Sequence, residues 1–264
     1  MDILDTLWLA LVQGITEFLP ISSSGHLILV PALLGWEDQG QAFDVAVHLG
    51  SLVAVLTYFR RDWARMTRGW LKSLGGQTSA DSRLAWMVVV GSMPLALVGL
   101  VAAGWVEGHL RSPLVVAGAT AGFGVLLWVA DYCSARRRDE HSVRVIDALA
   151  VGSAQALALI PGTSRSGITM TAALALGLNR ESAARFSFLL AVPAIVMSTG
   201  WQSLQLVSSA APVDWAGLGL AAVASAIFAF LAIGWFLKFV ARSGMLLFAV
   251  YRLLLAGVIV YVVV

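Results

Sequence analysis

Charge is scarce in this chain. Asp, Glu, Lys and Arg make up 12% of its 264 residues, against about a quarter in an ordinary soluble domain, and this excludes a soluble enzyme. Cysteine is nearly missing as well. The lone Cys133 excludes an internal disulfide and any cysteine-based metal cage. Neither sign of charge dominates, since 17 basic residues face 15 acidic ones for a net charge of +2, which excludes a nucleic-acid surface. A basic leader is absent too: Asp2 and Asp5 stand where a cleavable signal peptide would be positive, so none is expected. What the chain has in abundance is apolar surface, with 59% hydrophobic residues and a mean hydropathy of +0.85. Lipid is the expected solvent, and roughly six to nine spans of ~20 residues fit the length.

Runs free of Asp, Glu, Lys and Arg at 84–104, 113–130, 186–207 and 215–237 read as four transmembrane helices. Residues 41–59 make a fifth that contains Asp44 and His48, and 243–264 a sixth that contains Arg252. Two more apolar segments are interrupted. One has arms at 6–12 and 27–36 around Pro20 and Ser22-Ser23-Ser24-Gly25-His26, and the other arms at 145–160 and 168–178 around Pro161 to Gly167. Each arm is too short to cross ~30 Å of hydrocarbon, and irregular backbone survives at that depth only where it lines a protein cavity. Basic residues choose between kinked spans and re-entrant hairpins. If both segments are re-entrant, loops 60–83, 134–146, 179–185 and 238–242 share one side and hold 14 of the 17 basic residues, with Arg111 opposite. Trp36, Trp63, Trp105, Trp215 and Trp235 fall near the ends of these spans, as an aromatic belt would.

The expected fold is therefore an all-α integral membrane protein, with six transmembrane helices plus two re-entrant helical hairpins arranged as an inverted-topology repeat. Residues 1–133 and 145–264 form the two halves of a single membrane domain; 60–83 and 134–144 are cytoplasmic loops, and both termini lie outside. A sequence echo supports the repeat. Gln13 to Gly25 aligns without gaps on Gln155 to Gly167, matching Gln with Gln, Ser22 with Ser164, Ser24 with Ser166 and Gly with Gly. Such repeats place the site where their broken elements meet.

Gln13 and Glu17 share one helical face at i, i+4. A carboxylate in an apolar arm must neutralise or find a cation, so Glu17 is either a structural hydrogen-bonding group or, with the Gln13 amide, a ligand for Mg²⁺ or Ca²⁺. One of the three serines is expected to cap the following helix. Ser23 and His26 at i, i+3 can then present a nucleophile beside a base. Gly162-Thr163-Ser164-Arg165-Ser166-Gly167 has the makings of an anion cradle, with glycine-freed N–H groups, hydroxyls, a helix start and a planar cation matched to phosphate. Arg165 can equally pair with Glu17 across the repeat. The segment lacks the ending of a nucleotide-binding P-loop. Positive-inside bias accounts for Arg180, Arg185, Lys238 and Arg242. Arg252 can snorkel, pair with an acid such as Asp44, or reach a lipid phosphate; His109 reads as an ordinary hydrogen-bonding residue, while Asp44 and His48, another i, i+4 pair, stay open between a structural contact and a functional one.

Gln13-Gly14-Ile15-Thr16-Glu17-Phe18-Leu19-Pro20, the following Ser22 to His26, and Pro161-Gly162-Thr163-Ser164-Arg165-Ser166-Gly167-Ile168-Thr169 resemble the undecaprenyl-pyrophosphate phosphatases of bacterial inner membranes, the bacitracin-resistance proteins. Phe43 to Ser51, Arg185 to Leu190 and Phe248 to Leu255 extend the likeness along nearly the whole chain. The family admits Glu or Gln at the position of Gln13, and some members carry Thr at that of Ser24. The resemblance implies metal-dependent hydrolysis of the terminal phosphate of undecaprenyl pyrophosphate, which recycles the lipid carrier of cell-wall polymers. It places Glu17 and Gln13 at the metal, and Arg165, Ser22, Ser24, Gly162, Thr163, Ser164, Ser166 and Gly167 at the pyrophosphate. Ser23 is then the nucleophile and His26 its base, with His26 itself or a metal-activated water as alternatives. The implied partners are a polyprenyl pyrophosphate lipid and the bilayer, at an outward-opening site, with monomer or homodimer left open. Two other classes compete. A secondary transporter or flippase of a phosphorylated lipid shares the architecture but has no need of a Ser and His pair beside an acid. A type 2 phosphatidic-acid phosphatase needs a His shortly after Ser164-Arg165, and Gly167 to Asn179 contains none.

Overall fold

A computed structural model describes residues 2–36, 39–110, 112–207 and 214–263. Arg111, expected in an outer loop, lies outside the described residues. Among those described, the chain forms eleven α-helices: α1 (Ile3–Thr16), α2 (Ser23–Leu34), α3 (Gly40–Tyr58), α4 (Arg60–Leu74), α5 (Ala80–His109), α6 (Pro113–Cys133), α7 (Val145–Ala156), α8 (Arg165–Ala175), α9 (Arg180–Val207), α10 (Trp215–Ser243) and α11 (Leu246–Val263). One isolated bridge, Arg138 with Leu178, is the only β pairing among them. Local chemistry sets the starts: Asp2, Ser112 and Asp214 accept backbone N–H bonds at the caps of α1, α6 and α10, and Ser79 with Ser82 forms a capping box on α5.

Among the described residues, five helices are long and apolar enough to cross a membrane: α3, α5, α6, α9 and α10. The segment expected as a sixth span forms α11, an apolar helix of 18 residues that carries Arg252 inside and is shorter than those five. Both interrupted segments break where expected, α1 from α2 at 17–22 and α7 from α8 at 157–164. The basic stretch 60–83, expected as the connection between two spans, has structure of its own. Instead of a plain loop it forms α4, which buries Met66 and Gly69 against α5 and leaves Arg60, Arg61, Arg65 and Arg68 exposed.

The broken arms pack across the chain's two halves, α1 on α10 and α7 on α5, while α3 meets α9 and α6 meets α11. Small residues let the backbones approach, the usual device where lipid supplies no hydrophobic drive. A Cβ on Gly14 would lie 2.7 Å from the Ser225 carbonyl, and one on Gly152 would run into the Gly91 carbonyl. Arg180 and Arg185, which positive-inside bias explained without partners, hold specific ones. Arg180 forms a bidentate pair with Asp131 at 2.6 and 2.9 Å, and Arg185 bonds Glu140 at 2.7 Å and Asp62 at 3.1 Å. Burial alone would raise the Glu140 carboxyl, yet the Ser182 hydroxyl and Arg185 outweigh it and hold that group below its usual range.

Candidate active site

The first break brings Glu17 to the centre. One turn after Gln13, its Oε2 accepts the Gln13 amide N–H at 3.0 Å, and the Ser23 hydroxyl, arriving at the start of α2, donates to the same oxygen at 2.8 Å. The second break supplies the cation: Arg165 Nη2 lies 3.1 Å from Glu17 Oε1. Both side chains are largely buried, so the carboxylate and guanidinium replace each other's water, and the structural pairing foreseen in the sequence is present. Ser166 ties the loops together by donating to the Leu19 carbonyl at 2.9 Å.

The two breaks also share a backbone device. Ser22 and Ser164, aligned in the sequence echo, adopt left-handed φ values of 71° and 67°. Their hydroxyls sit 3.4 and 3.3 Å from Ser24 and Ser166 respectively. Two non-glycine residues held at positive φ at matching places cost conformational energy that the surrounding packing must over-determine. One expectation is overturned: no side-chain cap forms at Ser22, whose hydroxyl turns to Ser24, whereas Ser164, at a similar φ, does cap α8 by accepting Gly167 N–H at 3.2 Å.

A cavity of about 230 Å³ opens over this junction, lined by Glu17, Ser22, Ser23, Ser24, Ser164 and Arg165, with His48 and an apolar wall that includes Leu95, Leu159 and Ile195. The other expected cradle residues lie elsewhere. Gly162, at φ 91°, is pressed against the Val116 carbonyl and offers its own carbonyl to Thr120 and Arg252; Thr163 is fully buried, and Ser166 is spent on Leu19. Gly167 leaves room for a guanidinium, since a Cβ there would lie 2.8 Å from Arg252 Nη1. Ser23 and His26 have separate hydrogen-bond partners. His26 Nδ1 lies 2.7 Å from the Ser22 carbonyl and Nε2 2.6 Å from the Tyr251 hydroxyl, while Ser23 faces Glu17. A carbonyl can only accept, so Nδ1 carries the proton and Nε2 accepts from Tyr251.

Arg252 chooses none of the partners foreseen for it. Fully buried, it forms no ion pair among the described residues and donates to backbone carbonyls: Thr120 at 2.8 Å, Gly162 and Thr163 both at 2.9 Å, with Pro20 at 3.5 Å. It thus clamps α6 and both breaks from α11. Arg252→Met should strand several buried acceptors, at about 1–3 kcal/mol each, lowering the thermal midpoint in detergent. Arg252→Lys should recover little of the loss, because one ammonium lacks the guanidinium's fork. Sequence reasoning also passed over Tyr251 and left His48 open between structure and function; His48 lines the cavity, and the available signal was an ionisable side chain inside an apolar span.

The family described as bacitracin resistance protein BacA matches residues 6–258. Undecaprenyl-diphosphatase 2 of Stutzerimonas stutzeri (strain A1501) is 56% identical over 98% of this chain and 97% of that protein. The undecaprenyl-diphosphatase of Nitrosococcus oceani is also 56% identical, over 99% of each chain, and that of Teredinibacter turnerae 54% over the full length of both. A match spanning nearly every helix, with relatives more than half identical from end to end, means that the chain belongs to the bacitracin resistance protein BacA family.

Proposed function

We propose that the chain hydrolyses undecaprenyl pyrophosphate to undecaprenyl phosphate and inorganic phosphate. The observation that carries this reading is the meeting of Glu17, Ser23 and Arg165 at one cavity, where the two breaks bring together Glu17 and Arg165 from 148 residues apart. Arg165 and the hydroxyls of Ser22, Ser24 and Ser164 hold phosphoryl oxygens, while the apolar wall suits the first isoprene units. Ser23 Oγ attacks the terminal phosphorus as its proton passes to Glu17 Oε2. An Oγ–P bond forms, the anhydride P–O bond breaks, and the electron pair leaves on the lipid monophosphate. Water then cleaves the phosphoserine, with Glu17 returning the proton. Arg165 meets the charge that develops on the transferring group, where electrostatics carries most of the catalysis. His26, bridging the Ser22 carbonyl and Tyr251, fixes the strained turn that presents Ser23.

The donor set fits a hard divalent cation, Mg²⁺ or Ca²⁺. Gln13 Oε1 is a buried amide oxygen with no hydrogen-bond partner among the described residues, next to the Glu17 carboxylate. Gln13 and Glu17 would hold the ion, which when bound would neutralise pyrophosphate charge. Six transmembrane helices with two re-entrant hairpins in inverted repeat are the arrangement we favour, in the bacterial inner membrane with the cavity and termini toward the periplasm. The exchanged packing of α1 and α7, the paired serines and the basic-residue bias support it. Detergent-purified protein should release phosphate from undecaprenyl or farnesyl pyrophosphate with Mg²⁺ and lose that turnover in EDTA. Absence of release from folded protein across several metals would sink the reading, and undiminished release in EDTA would remove the cation from it.

A further inference from the structure

His48 lies on α3, in an element the reaction above does not use, yet its ring reaches the same carboxylate oxygen as Ser23. Nε2 stands 3.6 Å from Glu17 Oε2, and the side chain lines the cavity at 26% exposure. Nδ1 is 2.7 Å from the Asp44 carbonyl one turn earlier. That carbonyl can only accept, so Nδ1 bears the hydrogen, and in the neutral ring Nε2 turns a lone pair toward the Glu17 oxygen. Two acceptors facing each other at 3.6 Å repel unless positive charge lies between them. An ion about 2.1 Å from each would span that gap, and an imidazole whose other N–H is held by a backbone carbonyl is the usual posture of a ligating histidine. Arg165 takes Oε1, so the oxygen that His48 faces is Oε2, which also accepts the Gln13 amide and the Ser23 hydroxyl.

We propose that His48 is a direct ligand of the divalent cation, sharing it with Glu17 in a mixed nitrogen and oxygen site. The inference rests on the phosphatase reading above and deepens it. Among the described residues no three His, Cys, Asp or Glu side chains converge, so pyrophosphate oxygens and waters complete the coordination. An imidazole ligand changes the preference of the site: first-row transition ions bind more tightly than Ca²⁺, which favours oxygen alone. The competing arrangement is a protonated His48 paired directly with Glu17 and no ligand bond.

The test uses full-length protein in nanodiscs, labelled with ¹⁵N-histidine and loaded with Mn²⁺, with and without methylenediphosphonate, read by pulsed electron paramagnetic resonance. The expected result is a histidine ¹⁵N coupling to Mn²⁺ that His26→Gln retains and His48→Gln abolishes. Mn²⁺ affinity in His48→Gln should fall by roughly tenfold or more, with the thermal midpoint near wild type as the folding control. A coupling that survives His48→Gln overturns the proposal. So does Mn²⁺ that Glu17→Gln releases but that shows no histidine coupling; there the ligand assignment fails while the cation reading stands. Failure to bind Mn²⁺ saturably also overturns it, and turnover in EDTA then shows that the cation reading has fallen too.

Discussion

Glu17→Gln and Ser23→Ala should each lower the turnover of undecaprenyl pyrophosphate by about 10³–10⁴-fold, and the double variant should be no slower than the worse single. The 2.8 Å bond from Ser23 Oγ to Glu17 Oε2 makes the pair one device. Without the carboxylate the hydroxyl keeps its proton; without the hydroxyl the carboxylate has no proton to take. Groups that act as a unit are strongly non-additive for that reason, and positioned proton transfer alone is worth about 10²–10⁴. Glutamine preserves the shape and hydrogen-bonding reach of Glu17, so Gln13 and Ser23 keep a partner and the loss reports charge and basicity rather than collapse. Single-turnover assays measure all three variants. Should Ser23→Ala cost only about tenfold while Glu17→Gln remains near 10³, water and not Ser23 attacks phosphorus, with Glu17 as its base. Losses that multiply in the double variant would show that the two residues work apart.

Much of this site is legible in the sequence because acids and bases are rare in lipid. Glu17 and Arg165 stand out in apolar arms, and their mutual neutralisation at 3.1 Å is the cheapest arrangement open to them. The breaks at 17–22 and 157–164 are legible through their prolines, glycines and serine runs. Other features leave weaker traces. Arg252 finds backbone carbonyls, which every residue carries, so no partner side chain marks it in the sequence. The i, i+3 spacing of Ser23 and His26 assumes a regular first turn; the left-handed Ser22 aims the hydroxyl at Glu17, and the ring is held by Ser22 and Tyr251. Residues 60–74 are rich in charge and read as a loop, yet the spacing of Met66 and Gly69 gives α4 one face that packs. His48 sits on the boundary, since an imidazole in a span is as often satisfied by its own helix as by a ligand. Here Nδ1 does the first and Nε2 is left to face Glu17.

Arg165→Lys should cost about 10³-fold in turnover, close to the loss in Arg165→Ala, although it preserves the charge. Arg165 has two simultaneous tasks. One Nη atom holds Glu17 Oε1 at 3.1 Å, while the rest of the planar group borders the cavity where phosphoryl oxygens bind. A guanidinium does both from one rigid fork, whereas an ammonium on a flexible stem must choose. Settling on Glu17, the lysine leaves the transition-state charge unmet; settling on substrate, it leaves Glu17 without its buried counter-ion. Arginines that meet transferring phosphoryl groups contribute about 10³–10⁵, and the lower end applies because the serine hydroxyls remain. The readout is kcat, with KM following more weakly, since the charge grows most as the anhydride bond breaks. A lysine variant within tenfold of wild type would show that Arg165 contributes only net positive charge. Arg165 would then be a counter-ion for Glu17, and the serines of the two turns would carry the phosphoryl recognition.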